Sequence, residues 1–228
     1  MAIRALKDRG LAFTGASESA YASASDKLVA KAKMAAAGLP TPAWSADGQG
    51  LSGQVIVKSV AEHASLGIDA GSVVAAQAAS AEIVRRAETF GGAFFAEAYV
   101  DGREFNLSIL DGVVLPPAEI EFVDFAPMAP RIVDWEAKWV EASAAYVNTP
   151  RRFGFPGRDA ALLAVLTRLA ARAWTLFDLD GYARVDFRVD SEGQPWILEV
   201  NANPCITPDA GFAAAAAAAG LDYGTLIE

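Results

Sequence analysis

The clearest alternation of apolar and polar positions runs over residues 182–189 and again over 196–201, with Asp190-Ser191-Glu192-Gly193 between them. Period-two alternation around a polar, Gly-ended turn predicts an antiparallel hairpin. Side chains on a strand share a face at every second residue. Arg184, Asp186 and Arg188 therefore line one face of the first strand, and Glu199 and Asn201 one face of the second. Upstream, the pattern predicts a helix over 27–37, capped from Ser25-Asp26 and stopped at Gly38, with Leu39-Pro40-Thr41-Pro42 forcing an extended exit. An apolar strand over 54–58 ends in Lys58 and opens into a loop over 59–68. A helix over 80–90 follows, with Ser80 as its cap and Gly91-Gly92 as its stop.

Residues 93–99 and 103–110 alternate again, and Asp101-Gly102 between them predicts a second hairpin. A further Asp-Gly at 111–112 leads into 113–118, so an antiparallel meander is expected. Residues 119–157, with prolines at 127, 130, 150 and 156, carry no regular pattern. An amphipathic helix over 158–179 is expected to pack its Leu, Val and Trp positions behind the first-named hairpin. An alanine-rich helix ends at Ala219-Gly220, and a last turn spans 223–227. Residues 1–25 show weak periodicity and a turn-rich stretch at 14–19.

Composition narrows the class. At 228 residues and 53% hydrophobic content, the chain can bury a core as one large domain or two small lobes. No apolar run reaches membrane-spanning length, and Met1-Ala2-Ile3-Arg4 opens on mixed polar sequence, so a cytoplasmic protein without a membrane partner is expected. One cysteine, Cys205, excludes an internal disulfide framework, and one histidine, His63, excludes a multi-histidine zinc site. A net charge of −9 argues against a nucleic-acid partner, whose phosphates demand Lys and Arg.

If the two hairpin faces coincide, two carboxylates and an amide oxygen converge, a set of hard ligands suited to Mg²⁺. The alternative is a half-exposed hairpin with solvated charges. Glu199-Val200-Asn201-Ala202-Asn203-Pro204, running off an apolar strand into a proline-stopped loop, favours the metal. Lys58, at a strand end beside a loop of small residues, has the placement of a phosphate ligand. Solvated lysines also occur at such ends, and the same alternative holds for Lys27.

Gly181-Tyr182-Ala183-Arg184-Val185-Asp186, followed by Leu198-Glu199-Val200-Asn201-Ala202-Asn203-Pro204, resembles the metal-binding signature of the ATP-grasp ligases, in their D-alanine–D-alanine ligase-like branch. That resemblance implies an α+β ATP-grasp fold, two lobes whose antiparallel sheets clamp ATP. Residues 1–15 become a remnant or linker, 16–97 the small nucleotide-flap lobe, and 98–228 the large lobe with the metal site. It implies ATP and Mg²⁺ as cofactors, with two ions, Mn²⁺ as a substitute, and Asp186, Glu199 and Asn201 as ligands. Lys27 and Lys58 match phosphate-binding lysines, and the loop 62–68, with Ser65, matches the flap over the nucleotide. Residues 97–105 resemble the hinge between lobes, where Glu97 and Val100 frame adenine and Glu104 holds the ribose. Residues 134–139 resemble a loop whose lysine, here Lys138, touches the phosphates. Arg184 and the backbone amide of Cys205, expected to be buried where the family usually has glycine, would stabilise an oxyanion.

The implied activity is ATP-dependent joining of a carboxylate to an amine through an acyl phosphate, with an amino acid or small peptide as substrate. Two departures bear on that substrate. His63-Ala64-Ser65 stands in place of Gly-Ser-Ser, and Trp139 in place of a tyrosine, so two hydroxyls around the substrate are missing. This points away from D-alanyl-D-alanine as product. His63 either contacts phosphate or substrate or lies exposed in the loop. The family's usual N-terminal domain is unmatched, which implies a homodimer or a partner chain that supplies it. The second reading is a catalytically silent ATP-binding subunit that completes or regulates a partner enzyme.

Overall fold

The computed structural model describes residues 2–62 and 65–228. The expectations placed on His63 and Ala64 lie outside the described residues.

The helices are α1 (Ala2–Asp8), α2 (Glu18–Ser25), α3 (Lys27–Ala36), α4 (Ala79–Phe90), α5 (Trp135–Trp139), α6 (Ala144–Val147), α7 (Ala160–Leu176), α8 (Gly211–Ala218) and α9 (Tyr223–Ile227). The strands are β1 (Trp44–Ser45), β2 (Gln54–Ser59), β3 (Val73–Ala75), β4 (Phe94–Ala98), β5 (Arg103–Leu110), β6 (Val113–Val114), β7 (Ala118–Ile120), β8 (Arg151–Arg152), β9 (Tyr182–Val189) and β10 (Pro195–Asn201). They form two antiparallel sheets. The small one has the order β1-β4-β2-β3 and the large one β10-β9-β5-β7-β8, with β6 paired to β5.

Alternation decides what each sheet buries. In the small sheet Val55, Val57, Phe94 and Ala96 turn to α4, where Ala79, Ile83 and Ala87 meet them. Ile56, Lys58 and Glu97 occupy the other face. In the large sheet Phe105, Leu107, Ile109, Ala183, Val185 and Phe187 pack on Leu166, Leu169, Ala170 and Ala173 of α7 and on Phe177 beyond it. Glu104, Asn106, Arg184, Asp186 and Arg188 are left on the opposite face. Helices α2 and α3, expected to belong to the small lobe, place Ala20, Ala24, Ala30 and Met34 in this same large-sheet core.

The cap of α3 forms as expected. Asp26 accepts from the amides of Leu28 and Val29, and Gly38 takes a left-handed φ of 65° after the last turn. Asp26→Ala is expected to cost about 1 kcal/mol, read as a lower midpoint in urea titration. The Asp111-Gly112 hairpin also forms. Both residues have positive φ, 47° and 79°, and Leu110 pairs with Val113 across the turn.

Three expectations are corrected. Asp101-Gly102 does not close a hairpin, because β4 pairs with β1 and β2 while β5 pairs with β6, β7 and β9. The meander is therefore split, and residues 99–102 cross from one sheet to the other. Gly102 is there for clearance: a Cβ at its φ of 153° would lie 2.0 Å from the Val189 carbonyl oxygen. Ser80 does not cap α4. It lies inside the helix, entered through a 3₁₀ turn, and its hydroxyl donates to the Asp47 carbonyl at 2.6 Å. Cys205 is exposed rather than buried, with Sγ 3.2 Å from Thr207 Oγ1, because the chain leaves the sheet at Asn201 and runs along the surface.

Candidate active site

The two polar faces look at each other across a cavity lined by β2, β4, β5, β9, β10, residues 59–62 and 65–68, and the segment 132–138. Its corner of Asp186, Glu199 and Asn201 depends on one irregularity. Ile197 pairs with Phe187, but the next pair is Glu199 with Asp186, so Leu198 is an extra residue in the β10 ladder. This β-bulge reverses the parity of the strand. Ile197 and Val200, three residues apart, both face the core, while Glu199 lines the cavity and Asn201 lies on the same side of the sheet, bonded to Asp186. Were Leu198 paired with Asp186 in an unbroken ladder, Glu199 would be opposite Val185, on the buried side.

Asn201 ties the corner together, its Nδ2 donating to Asp186 Oδ2 and to Glu199 Oε1, each at 3.1 Å. Asp186 is fully engaged. Arg184 donates to it twice, at 2.7 and 2.8 Å, and Asn106, its neighbour on β5, donates at 2.9 Å. Glu199 Oε2 faces Lys27 Nζ at 4.0 Å. Burial works against the Glu199 charge, but Lys27, Lys138 and Lys58 hold its carboxyl well below the usual range. These groups fit a hard divalent cation in type: two carboxylates, one kept ionised by its surroundings, and an amide that can offer oxygen as well as nitrogen. No cluster of three or more His, Cys, Asp or Glu suited to a metal occurs among the described residues.

The lysines surround that corner. Lys27, in the first turn of α3, donates to the Glu62 carbonyl at 2.6 Å, and its burial lowers its pKa against the pull of Glu199. Lys58 leaves the end of β2 and forms an ion pair with Glu97. Lys138 reaches the same cavity from α5. Ser65 sits in its wall, with Oγ donating to the Val133 carbonyl at 2.8 Å. Val100 and Glu104 line the far end with Tyr99, Ile132 and Val133.

Glu97 lines the cavity but differs from its expected role in what its carboxylate does. It is wholly buried, and both oxygens go to lysines, Lys31 and Lys58. Burial pushes its pKa up, and the two ammoniums outweigh that and hold it below the ordinary carboxylate value. Cys205 is not among the cavity-lining residues.

Three residues join the site that the sequence reading left without a role. Lys31 binds Glu97 from behind. Asn106 follows Glu104 by two on β5, so strand periodicity could have placed it beside Asp186. Arg188 bonds Glu104 at 2.8 Å, donates to the carbonyls of Gly102 and Arg131, and stacks 4.9 Å over Phe122.

Two antiparallel sheets facing each other across a lysine- and carboxylate-lined cleft define an ATP-grasp fold, and solved structures agree. The D-alanine–D-alanine ligase of Bacillus anthracis complexed with ATP superposes with a TM-score of 0.75 at 22% identity, over 100% of this chain and 71% of that one. That of Coxiella burnetii gives 0.73 over 99% and 61%. Residues 45–228 match the family model described as D-ala D-ala ligase C-terminus, and the chain belongs to that family. Among curated relatives, the D-alanine–D-alanine ligase of Methylococcus capsulatus is 37% identical over 94% of this chain and 67% of its own length. That of a Synechococcus strain is 34% identical over 96% and 66%. The chain thus spans about two thirds of the curated relatives it matches. No helix among the described residues is long and apolar enough to cross a membrane.

Proposed function

We propose that this chain carries the nucleotide and metal chemistry of an ATP-dependent, ADP-forming carbon–nitrogen ligase, which activates the carboxylate of an amino acid or small peptide as an acyl phosphate and joins it to an amine. The observation that carries the reading is the convergence of Asp186, Glu199 and Asn201 at the bulge, opposite Lys27, Lys58 and Lys138. Asp186, Glu199 and Asn201 would hold Mg²⁺, which when bound supplies charge neutralisation for the transferring phosphoryl group. The three lysines provide the remaining positive charge where negative charge develops. Phosphoryl transfer needs little beyond such positioning and electrostatics, so the site requires no nucleophilic side chain.

Val100 and Tyr99 give an apolar slot for the base, and Glu104, steadied by Arg188, accepts from the ribose hydroxyls. Arg184, already bound to Asp186, stabilises the oxyanion formed as the amine adds. The exposed Cys205 has no part in this scheme. We further propose that the substrates differ from D-alanine, because Ala64 and Trp139 bring a methyl and an indole where the family resemblance calls for hydroxyls.

The test is Mg²⁺-dependent release of ADP and phosphate from ATP by the purified chain, against a panel of amino acids and short peptides. Release that requires one carboxylate and one amine, with a new amide found by mass spectrometry, is the expected result. Binding of ATP without turnover on any pair would overturn the ligase reading in favour of a silent nucleotide-binding subunit. Amide formation from D-alanine alone would overturn the substrate assignment.

A further inference from the structure

Lys31 is more deeply buried than Lys27, at 1% against 7% exposure, and it does not line the cavity. It lies one helical turn beyond Lys27 on α3, behind the wall that β4 forms. Its Nζ sits 2.5 Å from Glu97 Oε2, donates to Thr41 Oγ1 at 2.9 Å, and lies 6.0 Å from the centre of the Trp44 ring. The other Glu97 oxygen holds Lys58, which does line the cavity. Thr41 in turn donates to the carbonyl of Ile197, the residue before the bulge.

One carboxylate, wholly buried, is therefore shared by two ammoniums, one in the cavity wall and one behind it. The arithmetic of charge matters here: two lysines and one glutamate leave a surplus of one positive charge. With Glu97 and Lys58 alone the surplus would vanish. A buried ion pair of that kind is costly to open, since either partner would be left unpaired. A carboxylate that keeps a second cation can release the first.

We propose that Lys31 is a positioning residue for nucleotide binding: by sharing Glu97 it keeps the Lys31–Glu97–Lys58 cluster positive and leaves Lys58 able to turn to a phosphate. The proposal rests on the reading of the cavity as a Mg·ATP site. It also accounts for a buried lysine that would otherwise need only an apolar side chain at a helix–sheet contact.

Titration calorimetry of the full chain with Mg·ATP and with adenosine tests it, beside thermal melts. Lys31→Met is expected to weaken Mg·ATP at least tenfold and to leave adenosine within twofold. Lys31→Met with Glu97→Gln is expected to recover Mg·ATP to within threefold of wild type, because no carboxylate then competes for Lys58. Should Lys31→Met not fold, Lys31→Gln keeps a donor toward Glu97 and Thr41 while removing the charge, and the same tenfold loss is expected. Wild-type Mg·ATP affinity in a folded Lys31 variant overturns the proposal and leaves the nucleotide reading standing. Equal weakening of both ligands, or no recovery in the double variant, marks a purely structural lysine and also overturns it. A wild-type chain that binds no Mg·ATP overturns both.

Discussion

Glu199→Gln is expected to reduce Mg²⁺-dependent ADP release by about 10³-fold, the scale of losing a charged or hydrogen-bonding group aimed at the transferring phosphoryl. The substitution keeps the volume and one oxygen, so Asn201 can still donate to it, and the melting temperature should move little. What disappears is the negative charge that Lys27, Lys138 and Lys58 face at this position. The cavity becomes more positive, which gives a signature that unfolding would not. Metal-free ATP should bind as well as before or more tightly, while the dependence of turnover on Mg²⁺ is lost. An ADP-release assay across a Mg²⁺ titration, with metal-free ATP binding in parallel, separates the two. Turnover equal to wild type would remove Glu199 from the metal set.

Gly102→Ala should destabilise the fold by roughly 3 kcal/mol, the combined scale of a disallowed backbone conformation and an overpacked contact. The obstacle is backbone rather than a movable side chain: the new methyl would meet the Val189 carbonyl oxygen at 2.0 Å and Asp190 Cα at 3.2 Å. Gly102 also presents its own carbonyl to Arg188. Relief of the clash therefore shifts both the sheet-to-sheet crossing and the guanidinium that holds Glu104. Urea unfolding gives the loss directly. A variant within 0.5 kcal/mol of wild type, the scatter of ordinary surface changes, would show that β5 and β9 can separate there at little cost.

The hairpin, the Asp111-Gly112 turn and the α3 cap were legible because each is specified by neighbours in sequence. Asp101-Gly102 was misread for the same reason. Its local chemistry is that of a turn, but the partners of β4 and β5 lie elsewhere, and a close approach to Val189 selects the glycine. Helix α2 was passed over because its buried side chains are Ala20 and Ala24, which carry no amphipathic signal. Ser80 has the chemistry of a cap, but its bond to the Asp47 carbonyl is a tertiary contact.

At the site, the residue types of the Asp186, Glu199 and Asn201 corner could be read by alternation, whereas their meeting on one face could not. Strict period two from Ile197 puts Glu199 in the core, and only the inserted Leu198 brings it out. Lys31 was hidden for a different reason. A lysine on a helix reads as solvated until Glu97, far off in sequence, is seen to reach it.

The bulge at Leu198 also separates the native register of β10 from its nearest competitor. A β10 paired in unbroken register keeps Ile197 inside but expels Val200 and drives the Glu199 carboxylate into a hydrocarbon core. That misfold carries a desolvated charge and a missing side chain together, so it cannot persist as a well-packed but inactive form. The acid that would do the chemistry thereby weighs against the wrong strand register, and a chain that has buried its core correctly has, by the same residue, already gathered Glu199 and Asn201 beside Asp186.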